Sequence, residues 1–256
     1  MKIDVHNHYY PERFLKQLER DGASAGIALE TDEWGRQLLV QNDNRLVTIT
    51  SPMVDIPKRL ADMDEAGVDM QILTLSIPSV DIFPPDVGEA LARTVNDETA
   101  EICSKHPDRF LGFATLPFVD PRRTVRELER CVEALGFRGA CIGTNINGME
   151  LDDERLYPFY ERISVYDLPV HIHPRAPRDK ETYKDYRLGP MIGFEMELCI
   201  CIVRLVMGGV LEKFPKLKFI VSHLGGAFPT WPNECRTATR PIPNVRRISQ
   251  RLPKGI

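Results

Sequence analysis

Six short β-branched or apolar runs recur along the chain, over residues 3–8, 68–76 (VDMQILTLS), 110–116 (FLGFATL), 137–143 (FRGACIG), 168–173 (LPVHIH) and 217–223 (LKFIVSH). Each has the length of a buried strand. Between them lie longer segments in which apolar residues return every three or four positions, the spacing of a helix packed on one side. Helices are predicted over 56–66, 86–105, 122–135, 153–165 and 193–213. In the third, Val125, Leu128, Val132 and Leu135 form the apolar stripe, and Asp120-Pro121 ahead of it supplies an acidic cap and a first-turn proline. Gly67 and Gly136 follow two of these helices directly, where a left-handed residue ends a helix at least cost. Strands and helices in alternation imply parallel strands joined by crossover helices, in an open doubly wound sheet or a closed barrel.

Two stretches break the rhythm. Residues 9–57 hold a short helical stretch (12–20), a Gly/Ala/Ser patch and two runs, 37–41 and 45–50, that predict a hairpin around Asn42-Asp43-Asn44. An insert of this length after a first strand is where active-site lids tend to be built. From 229 to 256, five prolines, five arginines and one lysine stand against a single acid, Glu234. This reads as a basic, proline-rich tail behind a domain of residues 1–228.

Composition narrows the function classes. With 256 residues, 43% hydrophobic and 27% charged, the chain suits a soluble globular protein. A formal net charge of −4 argues against nucleic acid or an anionic membrane as partner, because both select basic surfaces. A small acidic molecule stays admissible, since a local basic pocket can sit in an acidic protein. The most apolar stretch, 198–211, carries Arg204 and falls short of the roughly 20 residues that cross a bilayer. Strand-like sequence starts by Ile3 with no basic, apolar and small-residue leader, so the expected location is cytoplasmic. The six cysteines (103, 131, 141, 199, 201, 235) form no CxxC pairs and read as reduced.

Five of the six histidines fall at or beside the ends of predicted strands: His6 and His8 on the first, His171 and His173 on the fifth, His223 on the sixth. In a parallel barrel or doubly wound sheet the carboxyl ends of the strands form the functional rim, so side chains distant in sequence converge there. On an extended strand, residues two apart share a face, which presents His6 and His8 together. A zinc-like ion takes nitrogen ligands at about 2.0 to 2.1 Å, and a catalytic site usually uses three protein ligands. His173 in HIHPR is the candidate third ligand. His171 would lie one layer deeper, in a structural role. His223, followed by Gly225 and Gly226, is assigned acid/base work, with ligation as the lesser alternative.

The stretches DVHNHYYP, RLADMDEAGVDMQILT, VNDETAEICSKHPDRFLGFATLP, GFRGACIGTNINGMELDDERLYPFYE, LPVHIHPR and GVLEKFPKLKFIVSHLGGAFP resemble the amidohydrolase superfamily. The resemblance is to the amidohydrolase-related branch that includes aminocarboxymuconate-semialdehyde, resorcylate and carboxyvanillate decarboxylases. It implies a TIM-type (β/α)8 barrel with one divalent metal ion, commonly zinc and in some members manganese. It places His6, His8 and His173 on ligand positions and His223 on the histidine that acts beside the metal. Arg45 matches an arginine of the insert that contacts a substrate carboxylate, and Arg175 is a second carboxylate-binding candidate. Binuclear relatives bridge two ions with a lysine at the fourth strand's end, whereas RGACIGTNING has none, which favours a mononuclear site.

The chain also departs from the family pattern. Members place an aspartate at the end of the eighth strand, and no aspartate follows Asp185 here. The expectation is an α/β barrel lacking its last two βα units, with an inserted segment after the first strand. Unpaired edges at the first and sixth strands would invite association, and a homodimer is expected. The leading functional expectation is a metal-dependent carbon–carbon lyase, a decarboxylase of a small carboxylic acid, impaired by the missing aspartate. The alternatives are a metal-dependent hydrolase of lactones, esters or amides, and an inactive truncated barrel retained as a binding subunit.

Overall fold

In the computed structural model, which describes residues 1–179 and 181–226, strands and helices alternate largely as the hydrophobic pattern requires. Two units divide the chain, Met1–Cys141 and a second that begins at Ile142. The tail 229–256, with Cys235, lies outside the described residues.

The first unit runs β1 (Ile3–Asp4), α1 (Glu12–Asp21), β2 (Ile27–Thr31), β3 (Gln37–Gln41), β4 (Asn44–Thr48), α2 (Ser51–Val54), α3 (Ile56–Ala66), β5 (Met70–Leu73), α4 (Pro85–Lys105), β6 (Phe110–Gly112), β7 (Ala114–Thr115), α5 (Pro121–Glu133) and β8 (Ala140–Gly143), the last crossing into the second unit. Parallel pairing orders β1, β5 and β6 side by side, with Ile3 opposite Met70 and Gln71 opposite Phe110, and joins Ala114 of β7 to Ala140 of β8. The expected signals at Gly67 and Asp120 act as helix ends, and Asp55 adds a cap that was not expected from the sequence. The Asp55 carboxylate accepts from the Lys58 amide at 2.9 Å, and Gly67 ends α3 with φ 62°. The Asp120 carboxylate accepts from the Arg122 and Arg123 amides at 2.9 and 3.1 Å. These bonds satisfy first-turn donors that have no partner within the helix.

The segment after β1 forms a three-stranded antiparallel sheet, β2-β3-β4. The hairpin turns at Asn42 (φ 47°) and Asp43 (φ 65°), the two residue types that accept left-handed backbone most readily after glycine. Ile27 and Leu39 face a cluster with Phe14, Leu15 and Leu18 of α1 and Leu91 and Val95 of α4. The third strand, β2, was not legible in the pattern, because IALET offers only one fully buried side chain, Ile27.

The second unit runs β9 (Asn145–Ile146), β10 (Met149–Glu150), α6 (Tyr157–Val165), β11 (Pro169–His173), α7 (Phe194–Met207), α8 (Val210–Lys213) and β12 (Lys218–Val221). β11 and β12 pair in parallel, with His171 opposite Ile220. The single helix expected over 193–213 is two helices, because Gly209 takes φ 77° between them. Arg204, the charge in the apolar stretch, reaches out of α7 to Asp152 at 2.9 and 3.1 Å. No helix among the described residues is long and apolar enough to cross a membrane. Cys103, Cys131 and Cys201 are thiols rather than disulfides, and burial pushes all three up, Cys103 to about 12, away from thiolate reactivity.

Candidate metal centre

The regular strand β1 ends at Asp4, so His6 and His8 are not placed by strand alternation, contrary to the expectation. Side chains place them instead. The Asp4 carboxylate accepts from the His6 amide at 3.0 Å, Thr74 Oγ1 donates to the Asn7 carbonyl at 3.0 Å, and Asn7 Nδ2 donates to the Ile72 carbonyl at 3.0 Å. The outcome still aligns the pair: the two imidazoles stack with centroids 5.7 Å apart and planes 25° from parallel.

The His8 ring has a defined tautomer. Tyr10 is fully buried, and burial pushes its phenol up to about 12, so it is protonated at neutral pH. Its single proton goes to the Ile77 carbonyl at 2.6 Å, so its oxygen can only accept from the Ser76 hydroxyl at 3.3 Å. Ser76 Oγ must then accept from His8 Nδ1 at 3.0 Å, which puts the proton on Nδ1 and the lone pair on Nε2. Sequence reasoning found neither Ser76 nor Tyr10 as a partner, because a strand-end serine and an apolar-context tyrosine carry no spacing signal.

In the second unit, His173 is the last residue of β11 and is 6% exposed. Its Nδ1 lies 2.9 Å from the Pro174 carbonyl and donates to it, which again leaves the lone pair on Nε2. His171 is fully buried. Ser222 donates its hydroxyl to the Ile172 carbonyl at 2.8 Å, so its oxygen accepts from His171 Nε2 at 2.9 Å. That hydrogen-bonded interior position fits the structural role expected of it. His223 stands in a single turn, His223–Gly225, with left-handed φ 50°, and its Nδ1 is 2.5 Å from Glu195 Oε1 in the first turn of α7. Glu195 lies too far away in sequence to have been coupled to His223 by any spacing rule.

Of the two candidate arginines, Arg45 lies exposed on β4 and bonds to Thr48 of the same strand. Arg175 is half-buried, with its amide donating to Thr144 Oγ1 at 3.1 Å and its side chain laid over Gly143. A Cβ at Gly143 would come within 2.2 Å of Arg175 Nε, so the absent side chain is what admits the guanidinium stem.

A family model described as amidohydrolase matches residues 3–250. The chain is 31% identical over 231 residues to the 2-amino-3-carboxymuconate-6-semialdehyde decarboxylase of Dictyostelium discoideum, covering 90% of this chain and 64% of that protein. It is 36% identical over 222 residues to the gamma-resorcylate decarboxylase of Polaromonas sp. (strain JS666 / ATCC BAA-500), covering 78% of this chain and 67% of that one. It thus spans about two thirds of the length of these relatives. The crystal structure of a dihydroxybenzoic acid decarboxylase from Polaromonas sp. JS666, with bound manganese and the inhibitor 2-nitroresorcinol, superposes with a TM-score of 0.73 at 31% identity, over 90% of this chain and 67% of that one.

Proposed function

This chain belongs to the amidohydrolase family, and on that premise we propose that it is a metal-dependent decarboxylase, a carbon–carbon lyase acting on a small aromatic carboxylic acid. In this reading His6, His8 and His173 hold one divalent ion. The observation that carries it is the chemistry of the donors: the imidazoles of His6 and His8 stack in one unit, and the Nδ1 bonds of His8 and His173 leave Nε2 as the coordinating atom in each. Three imidazoles suit zinc best, while manganese is the ion held by the Polaromonas structure. Such an ion supplies polarisation of substrate oxygens or a bound water with pKa near 7.

The remaining work falls to the protein. Glu195 holds Nδ1 of His223, so Nε2 is the atom that exchanges a proton. Loss of CO2 breaks the bond between the ring and its carboxylate, and a proton from His223 Nε2 takes the vacated carbon. Arg175, with Arg45 as the second candidate, orients the departing carboxylate through a planar fork. The arrangement of the strands as a TIM-type barrel belongs to the same reading, as does a homodimer, which sedimentation of the chain reads directly.

Incubating the metal-loaded chain with gamma-resorcylate and its dihydroxybenzoate isomers tests the activity. CO2 release that chelation abolishes, and that His223→Ala slows by about 100-fold or more, is the expected result. Acid release from esters or lactones without CO2 would replace the lyase by a hydrolase, and metal-free, inert protein would make the chain a binding subunit.

A further inference from the structure

Arg59, on α3, is 4% exposed and belongs to none of the groups that would touch an ion or substrate. Its guanidinium nonetheless grips the segment between the two stacked histidines. Nη2 donates to the His8 carbonyl, and Nη1 donates to Asn7 Oδ1 at 3.0 Å and to Gln71 Oε1 at 2.9 Å. Gln71 in turn donates from Nε2 to Asp4 Oδ2 at 2.9 Å, and the other oxygen of Asp4 accepts from the His6 amide at 3.0 Å. The bonds form a closed circuit from Arg59 through Gln71 and Asp4 to His6, and directly from Arg59 to His8. It spans the stretch that follows the end of β1 at Asp4.

We infer that Arg59 is the positioning residue of the ligand pair, setting His6 and His8 through the Asn7 side chain, the His8 carbonyl and the Gln71–Asp4 link. The inference rests on the reading of His6 and His8 as ligands. Charge alone gives the opposite expectation: a buried cation beside a divalent ion repels it, so Arg59 works by geometry. Its planar fork bonds three acceptors at fixed angles, which a lysine ammonium does not reproduce.

Manganese(II) titration followed by electron paramagnetic resonance, with the visible spectrum of the cobalt(II)-loaded protein, tests this on the full chain. Arg59→Lys keeps the charge and loses the fork, and Arg59→Gln loses both. The expected result is manganese binding weakened about ten-fold or more in each, with a changed cobalt spectrum. Lower thermal stability with wild-type affinity and an unchanged cobalt spectrum would make Arg59 merely structural and overturn the inference. Tighter manganese binding by Arg59→Gln, the mark of a charge effect, would overturn it too. Should neither arginine variant fold, Gln71→Leu breaks the same circuit and carries the same expected and contrary results. A wild-type chain that binds no manganese and no cobalt overturns the ligand reading itself, whereas wild-type binding that the variants share overturns only the role of Arg59.

Discussion

Tyr10 shows how one buried group constrains the chemistry of its neighbours. Its phenol is raised to about 12, chiefly by burial, against an ordinary value of 10. The folded state therefore keeps the proton between pH 10 and 12 while the unfolded state gives it up. A group raised in this way contributes stability that is complete below its unfolded value and is lost as pH climbs through the folded one. Wild-type protein is expected to lose roughly 1 kcal/mol per pH unit in this window from Tyr10. Tyr10→Phe removes that share and flattens the decline, although Tyr9, also raised by burial, leaves a residual slope. Urea midpoints at pH 9.5 and 11.5 read the difference, and equal slopes in the two proteins would contradict the assignment.

At the scale of elements, α4 and α5 are joined by a buried polar contact rather than by apolar packing alone. Asn96 Nδ2 donates to the Thr115 carbonyl at 2.9 Å and to Glu127 Oε1 at 2.7 Å, and its Oδ1 accepts from the Thr115 amide at 2.9 Å. The side chain thus takes the place of a strand neighbour for β7. Glu127, 2% exposed, is balanced by Arg130 at 2.7 and 2.9 Å. Asn96→Ala strands a buried amide, a carbonyl and part of a carboxylate, and is expected to cost about 3 kcal/mol or more in chemical denaturation. A loss below about 1 kcal/mol would mean that water or a neighbour restores those bonds.

The helices were the legible part of the sequence because their signals are local. Asp120, Gly67 and Gly136 sit within one turn of the backbone they control, and α3 spans the expected residues 56–66. Strand extents were less legible, since pairing depends on partners far away in sequence. The run 3–8 holds only Ile3–Asp4 as strand, and the run 110–116 splits into β6 and β7 at Phe113.

For the whole molecule, the proposed ligand histidines announced themselves by residue type and by position at the ends of predicted strands. The groups that orient them did not. Arg59 and Ser76 lie 51 and 68 positions from His8, Tyr10 lies 66 from Ser76, and Glu195 lies 28 from His223, the proposed acid/base residue. Arginines on helices and serines at strand ends are ordinary in any globular chain, so only the folded geometry distinguishes these. Whether the histidines bind an ion decides the proposed chemistry. Metal analysis of the full chain after loading with zinc or manganese and exhaustive dialysis gives the answer, alongside His6→Ala, His8→Ala and His173→Ala. One ion per wild-type chain, lost in each of the three variants, is expected. A chain that retains no ion, or retains it undiminished without His173, would contradict the proposed chemistry.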